Sequence, residues 1–103
     1  MRKITLFINT SQSNMTVVGI VGKGINIKRE ASRKNSSQTL LPLVDSLIKE
    51  SGLTLDDISE IKVHSGPGSY TGLRVGVAVA NTLGRLLRVP VNGRIQSDIT
   101  PQY

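Results

Sequence analysis

The stretch Ser65-Gly66-Pro67-Gly68-Ser69-Tyr70-Thr71-Gly72 separates a short apolar run ending at Val63 from a long helical pattern, and its reading decides the fold. Three glycines, a proline and three aliphatic hydroxyls within eight positions specify a tight strand-to-helix turn. Such a turn can aim several backbone N–H groups at one point, and the first amides of the helix that Thr71 opens lack intrahelical acceptors. Ser65, Gly66, Pro67, Gly68, Ser69, Thr71 and Gly72, with the cation Arg74 just beyond, therefore form a candidate anion-binding or nucleotide-proximal turn. Glycine-rich turns of this kind recur in unrelated α/β proteins, so the turn alone names no function.

Outward from the turn, the periodicities alternate between strand and helix. Ile4, Leu6 and Ile8 alternate with Lys3, Thr5 and Phe7 in a first strand, and Met15 to Val21 forms a second. Gly22-Lys23-Gly24 links it to a third around Ile25 to Arg29. From Ser37 the period becomes helical, with Leu40, Leu41, Leu43, Val44, Leu47 and Ile48 on one side, Ser36 or Ser37 able to cap the start and Gly52 at the end. Thr54-Leu55-Asp56-Asp57 has the capping-box pattern of a single short turn before a strand at Glu60 to His64. After the glycine-rich turn a second helix runs from Thr71 to Leu87, and Val89 to Asn92 reads as a last strand. The order β-β-β-α-β-α-β predicts an α/β domain over residues 1–93 with a mixed five-stranded sheet, followed by an irregular tail over residues 94–103.

The second helix carries Gly72, Gly76, Ala80 and Gly84 at four-residue spacing, a stripe with almost no side chains. Each interior glycine costs roughly 1 kcal/mol against alanine, so the stripe implies close approach by another backbone. The apolar arc through Val75, Val79, Leu86, Leu83, Leu87, Leu73 and Val77 covers about 200°, twice the roughly 100° that a helix on a sheet needs. The excess predicts a neighbouring helix, either the first helix or one from another chain.

Composition bounds the chemistry. The chain has 103 residues, no cysteine and one histidine, so a disulfide framework, a thiolate metal site and a multi-histidine metal site within one chain are excluded. Its apolar runs are too short or too interrupted for a secretory signal or a membrane span, and cytoplasmic residence is expected. The net charge of +6, with cations at Lys23, Lys28, Arg29, Arg33 and Lys34, suits either a solvated hairpin edge or encounter with nucleic acid or an acidic protein surface, and with Arg74, Arg85 and Arg88 it gives a small basic tRNA- or RNA-binding domain as the alternative function. Phe7, Tyr70 and Tyr103 are the whole aromatic inventory, which argues against base-stacking recognition of single strands. His64 precedes the turn, where it can hydrogen-bond the loop. Ser65, Ser69 and Thr71 lack an evident base and read as turn and cap residues.

Several segments resemble one family. Ile8-Asn9-Thr10-Ser11, Ser37-Gln38-Thr39-Leu40-Leu41-Pro42-Leu43-Val44-Asp45, Gly52-Leu53-Thr54-Leu55-Asp56-Asp57-Ile58, Leu73-Arg74-Val75-Gly76-Val77-Ala78 and Val89-Pro90-Val91 together resemble the amino-terminal domain of the TsaB family, also called YeaZ. The resemblance implies the ribonuclease-H-like half of an actin-type fold and a catalytically silent subunit of the bacterial machinery for threonylcarbamoyladenosine in tRNA. It implies pairing with the catalytic subunit TsaD, or with a second copy as a homodimer, through the two helices, with the ATPase TsaE completing the assembly and tRNA engaged indirectly. The matching interface positions are Leu40, Leu43, Leu47, Gly72, Val75, Gly76, Val79, Ala80 and Leu83. Two departures stand out. Asn9 occupies the end of the first strand, where the family usually has aspartate, and a neutral amide is a poor base and a weak magnesium ligand. The second actin-like half is absent, so no catalytic residue, metal or cofactor is expected in the isolated chain, and ATP or ADP only in the assembly.

Overall fold

A computed structural model of the chain describes residues 3–12, 15–32, 36–95 and 99–102, and the side chains of residues 36–39 lie outside that description. The caps expected of Ser36 or Ser37 and the cations Arg33 and Lys34 therefore fall outside the described side chains. Alternation builds β1 (Thr5–Asn9), which buries Leu6 and Ile8 and turns Phe7 outward. β2 (Met15–Gly22) buries Val18 and Ile20 in the same way, and β3 (Ile25–Ser32) forms the outer strand of a meander. Gly22, Lys23 and Gly24 turn the chain between them with φ of 139°, 51° and 77°. β4 (Glu60–Val63) lies parallel to β1, giving the order β3-β2-β1-β4 with both other pairings antiparallel.

Two helices, α1 (Ser36–Glu50) and α2 (Tyr70–Leu87), cover one face of this sheet. Leu40, Val44 and Leu47 of α1 and Val77, Ala80 and Leu83 of α2 join Leu6, Ile8, Val18, Ile20 and Ile61 in one core. The opposite face has no helix among the described residues.

The sheet has four strands where the sequence pattern predicts five. Val91 makes a single parallel bridge to Ile61, and the chain then turns away because Asn92 and Gly93 take left-handed φ of 50° and 82°. Pro90 contributes only its carbonyl, accepting the Ile61 N–H at 2.9 Å, while the Asn92 N–H donates to the Ile61 carbonyl at 2.9 Å. Asn92 then replaces the missing rung with its side chain. Its Oδ1 accepts the Val63 N–H at 2.9 Å and its Nδ2 donates to the Val63 carbonyl at 3.0 Å.

Residues 99–102 take no regular secondary structure and are tied to the domain. The Asn81 side chain donates to the Ile99 carbonyl at 3.0 Å and accepts the Ile99 N–H at 2.9 Å. The Gln102 N–H donates to the Ser65 carbonyl at 2.6 Å.

The capping box forms at the 3-10 turn Leu55–Asp57, where the Asp57 carboxylate accepts the Thr54 N–H at 2.8 Å and its hydroxyl at 3.2 Å. The backbone bond, ahead of the hydroxyl and a distant Lys23, holds the Asp57 carboxyl below its ordinary value. A folded-state pKa below the unfolded one contributes stability above the unfolded pKa that is lost as pH falls through the folded one. Replacement by Asn is expected to flatten the acid limb of a melting-temperature profile slightly, and an unchanged limb would remove Asp57 from that role.

Candidate functional site

The glycine-rich turn is built against its own chain. The Ser69 N–H donates to the Ser11 carbonyl at 2.7 Å, and the Ser69 hydroxyl caps α2 by accepting the Gly72 N–H at 3.3 Å. A β-carbon at Gly66 would overlap the Gln102 carbonyl, and one at Gly68 would press on Ser11. These two glycines are thus required by the approach of neighbouring protein backbone, and the amides of Ser69 and Gly72 are engaged. His64 Nε2 meets the Pro67 carbonyl at 3.0 Å, which requires Nε2 to carry the proton. The Gly66-Pro67 peptide is cis.

Arg74 does not reach over the turn. Its guanidinium donates to the Tyr70 hydroxyl at 3.0 Å and lies 5.3 Å from the Tyr70 ring centre, an exposed i,i+4 pair on α2. Thr71 is exposed, and Ser65 is half-buried with its carbonyl committed to Gln102.

Asn9, at the end of β1, caps the loop that follows: its Oδ1 accepts the Ser11 N–H at 2.9 Å and the Ser11 hydroxyl at 2.6 Å. Beside it Thr10, fully buried, donates its hydroxyl to the Gly72 carbonyl at 2.6 Å. Ser11, Thr10 and Asn9 therefore dock the β1 loop onto the start of α2. Sequence reasoning gave Thr10 and Ser11 no such task, because the contact joins residues 62 positions apart.

The glycine stripe of α2 meets the sheet rather than a helix. A β-carbon at Gly76 would overlap the Thr10 hydroxyl and touch Ile8, and one at Gly84 would overlap Val91. Gly72, Gly76, Ala80 and Leu83 are all buried, as are Leu40 and Leu47 of α1. In the folded domain Leu40, Leu47, Gly72, Gly76 and Ala80 are core residues rather than surface ones, which corrects their place in the expected interface, whereas Leu83, 7% exposed, still lines a surface hollow with Leu41 and Val79. The spacing predicted a close backbone approach, whereas what lies nearest Gly76 and Gly84 is side chains of the same chain, those of Thr10, Ile8 and Val91.

Of the expected interface positions, Leu43, Val75 and Val79 keep partial exposure. They border an apolar strip that the pattern under-read, including Leu41 at 51% exposure, Ala78 and the Tyr70 ring at 58%. Two shallow hollows follow this strip, about 440 Å³ along Tyr70, Arg74, Val75 and Val79, and about 200 Å³ between Leu41, Ala78 and Thr82. The signal was present in the 200° arc of α2, which is wider than the face that packs on the sheet.

Comparison with known proteins places this geometry. The family tRNA N6-adenosine threonylcarbamoyltransferase (TsaD) matches residues 8–93. The Bacillus subtilis tRNA threonylcarbamoyladenosine biosynthesis protein TsaB is 43% identical over 60 residues, 58% of this chain and 26% of that protein. The TsaB protein of Buchnera aphidicola subsp. Schizaphis graminum is 29% identical over 93 residues, 90% of this chain and 44% of that protein. The structure of YeaZ from Pseudomonas aeruginosa superposes with a TM-score of 0.81 at 29% identity, over 86% of this chain and 42% of that one. The chain spans less than half the length of these relatives. A match from the end of β1 through α2 to the Val91 bridge, with the same fold, shows that the chain belongs to the TsaD-related family and, within it, to the TsaB (YeaZ) group.

Proposed function

We propose that this chain is a non-catalytic partner subunit in the synthesis of threonylcarbamoyladenosine in tRNA, pairing with a TsaD-type catalytic subunit or with a second copy through the outer faces of α1 and α2. The observation that carries the reading is the strip of Leu41, Val75, Ala78 and Val79, apolar surface on two packed helices with no covering element among the described residues. Contiguous apolar surface on a small domain marks an interaction site.

A silent role fits the chemistry of the β1 end. Asn9 spends its amide oxygen on Ser11, and it has no charge with which to activate water or hold magnesium. The Ser69 hydroxyl serves the cap of α2, and on this reading nucleotide, as ATP or ADP, and the ATPase TsaE belong to the assembly. The turn of Ser65 to Gly72 then acts as a staple between β4, α2 and the β1 loop. With tRNA as the substrate of the whole machinery, the work is cytoplasmic.

Light scattering on the purified chain, alone and mixed with the TsaD protein of the same organism, tests this reading. A homodimer that exchanges into a one-to-one complex is expected. Ala78→Glu, which places a charge on the strip without touching the core, is expected to weaken either association about 30-fold or more with an unchanged circular dichroism spectrum. A monomer indifferent to TsaD would overturn the proposal.

A further inference from the structure

Asn92-Gly93 is the one asparagine–glycine pair in the sequence. Such a pair suits a two-residue hairpin turn of type I′, in which both central positions take positive φ, and here they sit at 50° and 82°. The turn is closed by the Val91 N–H on the Arg94 carbonyl at 2.9 Å and the Arg94 N–H on the Val91 carbonyl at 3.0 Å. The same pair is the chemically weakest setting for asparagine, a thermolabile residue, because glycine has no side chain to shield its nitrogen from the amide beside it.

The reaction open to such a pair is an internal acyl transfer. The Gly93 nitrogen bonds to Asn92 Cγ, the Cγ–Nδ2 bond breaks, and Nδ2 leaves as ammonia with the proton that the Gly93 nitrogen gave up. Water then opens the five-membered imide. Cleavage between Cγ and the Gly93 nitrogen gives aspartate, and cleavage at the main-chain carbonyl gives isoaspartate, with nothing oxidised or reduced. Ring closure needs Asn92 Cβ and the Gly93 nitrogen on the same side of the Cα–C bond, whereas a type I′ turn sets them nearly opposite. It also needs a free amide. In the folded chain that amide is turned to β4, where Oδ1 accepts the Val63 N–H at 2.9 Å and Nδ2 donates to the Val63 carbonyl at 3.0 Å.

We infer that Asn92-Gly93 is a spontaneous deamidation site, held unreacted by its bonds to the Val63 main chain and released whenever the turn lifts from β4. Two hydrogen bonds of ordinary strength favour the closed form about 30-fold over the lifted one. The chemistry takes place in the lifted turn, so water reaches it there whatever packs against the closed one. Each conversion is one-way. Aspartate sets a carboxylate oxygen against the Val63 carbonyl where Nδ2 donated, and isoaspartate adds a main-chain atom to a turn that two residues close. A reversible opening thus becomes a permanent loosening of this side of the sheet. The inference stands on the turn and β4 alone and is independent of the pairing proposed for the helices.

Incubation of the chain at pH 8 and 37 °C, folded and in guanidinium chloride, followed by digestion and mass spectrometry of the peptide that spans Asn92, tests it. The unfolded chain is expected to convert at Asn92 ahead of every other asparagine and to give both aspartate and isoaspartate. The folded chain is expected to convert about 30-fold more slowly. That is far less protection than a global unfolding constant of about 10³ or more would give. The converted chain is expected to melt below the fresh one. Conversion of the folded chain at the unfolded rate would show that Val63 does not hold the amide. Protection equal to the global unfolding constant, measured by chemical denaturation, would show that the turn never lifts alone, and aspartate without isoaspartate would exclude the imide. Each of these three results would overturn the proposal.

Discussion

Gly76→Leu is expected to prevent folding at ordinary temperature, and Gly76→Ala to lower stability by several kcal/mol. Even alanine's β-carbon would overlap the Thr10 hydroxyl, which is buried and already donates to the Gly72 carbonyl at 2.6 Å. The hydroxyl cannot swing aside without leaving that bond, and Ile8 lies immediately beyond it in the central strand. Relief therefore requires α2 to lift from β1, which separates Val77 and Ala80 from the core. Overpacking of this kind typically costs 1–3 kcal/mol for extra methylenes alone, and a displaced buried hydrogen bond adds about 1–3 more. Against a total stability of about 5–15 kcal/mol for a small domain, the leucine variant falls below the folding threshold. Chemical denaturation of the alanine variant measures the effect, and a midpoint equal to the parent would show that the helix is not seated where described. Gly76→Ala with Thr10→Ser would not restore stability, because the overlapping oxygen remains.

Asn92→Ala is expected to lower stability by about 2–4 kcal/mol and the melting temperature by roughly 10–25 °C. The amide serves both the N–H and the carbonyl of Val63, and truncation leaves two ladder groups without their partner at a partly buried edge. Alanine also tolerates the left-handed φ of 50° less well than asparagine does. Asn92→Asp is a sharper probe: its carboxylate keeps an acceptor for the Val63 N–H but sets a second oxygen against the Val63 carbonyl. It is expected to fall between parent and alanine above pH 6 and to recover part of the loss on acidification, when a proton restores a donor. Thermal melts at pH 4.5 and pH 7 decide this, and three coincident curves would exclude the amide from the sheet.

The contrast between these two sites explains what the sequence could and could not reveal. Strands, helices and their order were legible because alternation and 3.6-residue periodicity are local. The close approach behind Gly76 was legible too, as an energetic oddity in a helix interior, but its partner was not, since Thr10 belongs to another element. The same limit hid Asn81 and Asn92. Each reads as an ordinary polar residue, on a helix face or in a turn, and acts by supplying a side-chain amide where backbone would otherwise pair. The fifth strand failed for a related reason: Val89-Pro90-Val91 has strand composition, yet the left-handed turn at Asn92 and Gly93 ends it after one rung. At the candidate site, the arc of α2 disclosed that some apolar surface was surplus, but not which residues. Leu41 and Ala78 took the outer place that had been expected of Ala80.

The way the sheet ends has a consequence for assembly. On the β4 side, Pro90 and Asn92 occupy the hydrogen-bonding groups of Ile61 and Val63, whereas β3 on the other side is an outer strand. Open-ended growth by strand addition requires two receptive borders on each copy, one to give and one to receive. Among the described residues the sheet offers one, so two copies joined border to border along β3 would leave it no receptive border, and strand pairing through this sheet stops at two while the Asn92 amide stays in place.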